Sequence, residues 1–233
     1  MTTDRPATTL PRTYGSNQEN PDRTGTLLAC GAAAGPLYLV VGLIEALTRT
    51  GFDVAHDDLS LLSNGPLGWI HITLLVVTGV LVVLGGAGLR RVLRGPATKA
   101  PWFLIAFGVG LIAAGVFVAD PMGGFPAGTP AGNPLHVSAH GTGHFIAAAL
   151  GFLGLLIACA LLGRRFSRTG DSGLALYTVV TGVVFMAAFA GIATGSTSTP
   201  VVVGFWIGVI LAFSWLTTLC VRCRPAASTT VRR

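Results

Sequence analysis

The chain has 233 residues, 52% hydrophobic and only 10% charged, with a formal net charge of +6 and a mean hydropathy of +0.71. A soluble domain carries about 25% charged residues, so this composition excludes an ordinary water-soluble enzyme and equally a disordered or fibrous chain. The fifteen basic residues gather at the ends of apolar runs and form no patch, so the charge describes membrane topology and excludes nucleic acid as a partner.

Residues 1–25 are polar, contain Pro6, Pro11 and Pro21, and lack apolar periodicity; they are expected to form a disordered cytoplasmic tail. The apolar run that follows exceeds the 7–15 residues of a signal-peptide core, so it is read as the first of six spans. A crossing needs about 20 apolar residues. Stretches near 26–48, 66–89, 102–119, 137–162, 173–194 and 200–221 meet that need. The fold expected is an all-α six-transmembrane-helix bundle over 26–222, followed by a short basic tail at 223–233.

Orientation follows from the arginines. Arg5, Arg12 and Arg23 precede span one; Arg90, Arg91, Arg94 and Lys99 lie between spans two and three; Arg164, Arg165 and Arg168 lie between four and five; Arg222, Arg224, Arg232 and Arg233 follow six. Fourteen of fifteen basic residues thus share one side, which makes that side, and both termini, cytoplasmic under the positive-inside rule. Only Arg49 falls outside, four residues after Glu45, its expected partner. One Lys against fourteen Arg, with abundant Ala, Gly and Val, suggests a GC-rich bacterial genome and hence a plasma membrane.

Among thirty-two glycines, the pairs Gly31/Gly35, Gly191/Gly195 and Gly204/Gly208 have the small-xxx-small spacing that lets helices approach closely. Cys220-Val-Arg-Cys223 is a C-x-x-C without a second pair of ligands or a thioredoxin-like context, and is read as incidental.

The polar chemistry collects on the outer side, which holds all five histidines and five acidic residues against one basic. In the first outer loop, Asp57 or Asp58 is expected to cap a short interfacial helix. That helix packs Leu59 and Leu62 downward and ends at Asn64-Gly65-Pro66. The second aspartate, with Ser60 and Ser63, then faces spans three and four. His71, about one turn into span two, is read as a packed residue. Asp120 follows span three, where the helix macrodipole disfavours an anion, so a cation, a metal or a hydrogen bond is expected beside it. In Asn133-Pro134-Leu135-His136-Val137-Ser138-Ala139-His140-Gly141-Thr142-Gly143-His144, Asn133 suits an N-cap and Pro134 the first helical position. A helix begun there carries His136, His140 and His144 along one stripe, a familiar metal-ligand spacing.

In order and spacing, Asp58-Leu59-Ser60 with Gly65-Pro66, Gly88-Leu89-Arg90, Gly115-Val-Phe-Val-Ala-Asp120, and His136 to His144 resemble the six-span family catalogued as Domain of Unknown Function 998. The likeness extends over roughly 26–165. It implies an all-helical membrane fold and no particular activity. A more distant likeness is to the damage-regulated autophagy modulator type of protein, which has a similar acidic-Ser loop. A loose likeness to the alkaline ceramidase and adiponectin-receptor hydrolases implies zinc held by Ser, Asp and His. Here that would draw on His140, His144 and Asp120 or Asp58 as ligands, with Asp58, Ser60 and Asp120 as the catalytic set, although the seventh span and second histidine pair of those proteins are missing.

Three functional readings follow. The favoured one is a non-enzymatic protein of the lipid bilayer whose outer His/Asp pocket binds a lipid headgroup, an ion, a small molecule or a partner. The others are a zinc-dependent lipid hydrolase and a proton-coupled transporter, the last weakened by the want of a broken-helix pair repeated in two halves.

Overall fold

The structure, a computed structural model, describes residues 21–93, 99–134 and 136–224. The rest of the expected tails, residues 1–20 and 225–233, lie outside the described residues. Six helices follow one another: α1 Pro21–Thr48, α2 Gly68–Val92, α3 Ala100–Val116, α4 Ala139–Arg168, α5 Ser172–Ala193 and α6 Thr199–Arg222, with a 3₁₀ turn at Leu59–Ser63. Five are long and apolar enough to cross a membrane; α3 is apolar but has only 17 residues. Large apolar side chains such as Val40, Leu43, Leu150, Leu176 and Val183 stand exposed along their outward faces. Water would not tolerate such a belt, whereas lipid requires it. The chain is a polytopic helical membrane protein.

Each helix packs mainly on its neighbours in sequence, and α6 returns onto α1, so the six close into a ring. Because lipid tails are as apolar as leucine, close van der Waals contact has to hold such a ring together, and glycines provide it at the helix crossings. A Cβ on Gly31 would stand 2.6 Å from the Cα of Gly85, joining α1 to α2. On Gly79 it would stand 2.6 Å from the Gly108 carbonyl oxygen, and on Gly110 2.7 Å from the Cα of Gly151, joining α3 to its neighbours. Gly35 and Gly208 are likewise in close contact, against Phe213 and Phe185. Two other expected packing glycines differ: Gly204 meets nothing within 4 Å, and Gly195 lies beyond the end of α5 at φ 75°.

Inside the ring, aromatic side chains from five helices form a chain of contacts. Tyr38 stacks on Phe213 at 4.4 Å between ring centroids, Phe213 and Phe152 each lie 6.1 Å from Phe107, and Phe152 meets Phe185 edge-on at 4.7 Å. Such pairs contribute about 0.5–1.5 kcal/mol beyond simple burial. Hydrogen bonds across helices add to this: Trp215 Nε1 donates to Thr178 Oγ1 at 2.9 Å and Thr217 Oγ1 to the Ala32 carbonyl at 3.0 Å.

Helix edges depart from expectation on either side of the second long loop. α3 ends at Val116, so Asp120 lies four residues past it. α4 begins at Ala139, capped by Ser138, whose hydroxyl accepts from the Gly141 N–H at 2.9 Å. Asn133 is therefore no cap, and His136 lies before the helix, which leaves a stripe of two histidines. The same register moves Asp120 to the N-terminus of α4, where its Oδ2 accepts the Ser138 N–H at 2.8 Å. An anion is favoured there. The compensation expected for Asp120 is thus a backbone donor and a helix dipole.

Two outcomes test this packing. Gly110→Ala, pressed on backbone, should lower stability by about 1–3 kcal/mol, while Gly204→Ala should be neutral or slightly stabilising; unfolding in detergent reads both. A Cβ at position 141 would stand 2.1 Å from Asp120 Oδ2. Gly141→Ala should therefore displace the carboxylate and speed hydrogen exchange at the Ser138 amide, which Gly173→Ala, with open space around it and an ordinary helical backbone, should not do.

Candidate functional site

The end of the ring that carries Asp58 and Asp120 is closed by two loops. In the first, Asp58 caps the 3₁₀ turn: its Oδ1 accepts the Ser60 N–H at 2.9 Å and also the Ser60 hydroxyl. Leu59 and Leu62 point into the core as expected. Asp57 is the structural member of the pair, buried and accepting the Asp53 N–H at 2.8 Å. Burial pushes its carboxyl up from the ordinary range, against the pull of that N–H. The exposed Asp53 is held below the ordinary range by the Ala55 N–H and then by His56. His56 Nε2 lies 3.1 Å from Thr199 Oγ1, which ties this loop to the start of α6.

Beneath the loop lies a buried ionic cluster. Glu45 Oε1 is 3.8 Å from Arg49 Nη1, the pair expected from their spacing, and Glu45 Oε2 is 2.9 Å from His71 Nδ1. All three side chains are within 7% of full burial. Arg49 also donates to the Asn64 carbonyl and lies 5.8 Å from the centre of the Phe125 ring. It therefore pins both loops at once. His71 Nε2 is buried without a hydrogen-bond partner.

The two remaining histidines of the stripe diverge. His144 is buried, and its Nδ1 lies 2.9 Å from the Ala114 carbonyl and 2.8 Å from that of Phe117. These carbonyls belong to the last turn of α3, which has no helical donors left for them. Since both only accept, Nδ1 carries the proton and Nε2 is left as the acceptor. His140 is exposed and packs beside the Phe117 ring.

Two spaces meet here. An inner cavity of about 60 Å³ is lined by Tyr38, Asp58, Ser60, His71 and His144 on its polar side and by Leu111, Phe152 and Phe205 among its apolar walls. That is room for a few water molecules or one small polar group. A larger cleft, about 230 Å³, is lined by Asp58, Ser60, Asp120 and Asn133. Asp58, Ser60 and Phe145 belong to both. The expected residues Asp58, Ser60 and Asp120 therefore share one cleft, and His144 lies deeper.

The expected metal ligands are placed differently from one another: His144 is buried with only its Nε2 free, His140 is exposed, and Asp120 Oδ2 accepts the Ser138 N–H. Among the described residues no three His, Cys, Asp or Glu side chains group as a metal site. Cys220 and Cys223 are free thiols. Sequence reasoning underrated His71, whose partner Glu45 is distant in sequence. The available signal was that both are ionisable groups within apolar spans at the same end, where function is the default hypothesis.

No curated protein and no solved structure was found to match the chain. Residues 32–222 match the family described as Protein of unknown function (DUF998). That match runs from α1 through the last turn of α6, including the 3₁₀ turn, the ionic cluster and the cleft, and the chain belongs to this family.

Proposed function

We propose that the protein binds an amphiphile, through its polar headgroup, in the joined cavity and cleft, on the outer face of a bacterial plasma membrane. The observation that carries the reading is the position of Asp58 and Ser60 where a cleft with a second aspartate meets a cavity with aromatic and leucine walls. Polar groups fix a head there, while Leu111, Phe145 and Phe152 accept its first methylenes. A zinc-dependent hydrolase drawing on His140, His144 and Asp120 is the second reading, with less support because no three His, Cys, Asp or Glu side chains group together among the described residues.

In this reading the chain crosses six times with both termini cytoplasmic, over a membrane domain spanning 26–222. Although α3 spans only about 25 Å at 1.5 Å per residue, it takes a full place in the closed ring, and the non-helical residues 117–120 follow it. The arginines Arg90, Arg164, Arg168 and Arg222 lie at the end of the ring opposite Asp58 and Asp120, as the positive-inside rule requires of a cytoplasmic face.

With the four native cysteines replaced, Ala127→Cys should be labelled by an impermeant thiol reagent added to intact cells and Ser167→Cys only after permeabilisation. Labelling of both from one side would refute the topology. For the ligand, protein purified in mild detergent should retain lipid detectable by native mass spectrometry. The double variant Asp58→Asn/Asp120→Asn should lose about tenfold of it, the effect of one or two charge-assisted hydrogen bonds. Equal retention by the variant would remove the site.

A further inference from the structure

We propose that the inner cavity selects a primary ammonium group carried on an apolar chain; this rests on the amphiphile-binding reading and names its headgroup. The argument is the sign of the hydrogen bonds the cavity offers. Glu45 and Arg49 already balance each other in a buried site, so a neutral His71 keeps the cluster electroneutral, as burial demands. Its Nδ1–H then donates to Glu45, and Nε2, buried and without a partner, is a bare acceptor. His144 reaches the same tautomer by a different route, because two carbonyls fix its proton on Nδ1 and leave Nε2 as an acceptor. Asp58 spends Oδ1 on Ser60, whose own hydroxyl hydrogen is consumed in that bond, and Oδ2 has no partner among the described residues.

The polar side of the cavity therefore presents two imidazole lone pairs and a carboxylate oxygen, with the Tyr38 hydroxyl able to act either way. Among the described residues no Lys or Arg lines either the cavity or the cleft. An anionic head would meet the Asp58 carboxylate with no cation to offset it. A quaternary ammonium would bring charge without N–H donors. A primary ammonium brings three donors and one positive charge to offset Asp58, and is small enough for about 60 Å³. Leu111, Phe145 and Phe152 take the adjoining methylenes, with the aromatic faces also favouring a cation. Such a group comes either from an amine-bearing lipid of the bilayer or from a free alkylamine.

The test uses the full-length protein in detergent and in nanodiscs. Dodecylamine should bind roughly tenfold or more tightly than dodecyltrimethylammonium, since a site built to accept N–H bonds rejects the analogue that lacks them. Nanodiscs of mixed phosphatidylethanolamine and phosphatidylcholine identify the source: enrichment of the former on the protein assigns a bilayer aminolipid, while selectivity confined to dodecylamine assigns a free amine. His144→Phe should bring the dodecyl ratio close to one with the cavity walls intact, and Asp58→Asn should weaken dodecylamine selectively should the histidine variant not fold. Equal binding of the two dodecyl compounds would overturn the ammonium assignment and leave the amphiphile reading standing. Failure of every amphiphile to bind would overturn both.

Discussion

The hydrogen bond between Glu45 and His71, with Arg49 against the same carboxylate, is the constraint from which the site follows. An ionised side chain removed from water must find its partner inside the protein. Glu45 and Arg49 lie on or just past α1 and His71 on α2, so this requirement locks the first two helices at one depth. Arg49 then extends the lock outward, to the Asn64 carbonyl in one loop and to Phe125 in the other. With both loops fixed, Asp58 stands over the ring beside the cleft that also holds Asp120. Removing one partner of such a cluster costs about 3–5 kcal/mol, because the other charge stays buried.

The ring itself explains why there is any cavity. Glycine-to-glycine approaches set the helix separations at the crossings, and small contacts on the rim leave the centre to be filled by large side chains from within. Phe107, Phe152, Phe185 and Phe213 fill its middle. Toward the Asp58 end the centre is incompletely filled, and its apolar walls there carry the polar groups of Tyr38, Asp58, Ser60, His71 and His144. Packing and site are thus one arrangement: tight at the helix crossings, aromatic in the middle and open beneath the loops.

Much of this was legible in the residues. The last two helices begin and end within a residue of the apolar runs, because polar turns border them sharply. The 3₁₀ turn was readable in Asp58 to Pro66, where a capping carboxylate, two leucines and a glycine each play a local part. The start of α4 was not. Asn133-Pro134 and Ser138 are both good caps by local rules, and the choice is settled by Asp120, which meets the Ser138 N–H from eighteen residues away. Only tertiary contact decides between equal local signals. For the same reason the third histidine left the stripe, and the Glu45–His71 bond, between residues 26 apart, could not be read from either neighbourhood.

The alternative of a proton relay requires a succession of titratable groups through the membrane. Below the cavity, the described buried polar groups toward the arginine end of the ring include the threonines Thr78, Thr178 and Thr181, whose hydroxyls do not ionise in the working range. Thr178 is committed to the Leu174 carbonyl and to Trp215. Between these hydroxyls and His71 stands the aromatic contact of Tyr38, Phe213 and Phe107. The described buried carboxylates and histidines, Glu45, Asp57, His71 and His144, are gathered at one end above an apolar middle, which supports the proposed holding of a ligand over a proton path. On the same reading the His71 Nε2, buried and without a partner among the described residues, is a recognition element, because it offers an acceptor to an N–H donor in the cavity.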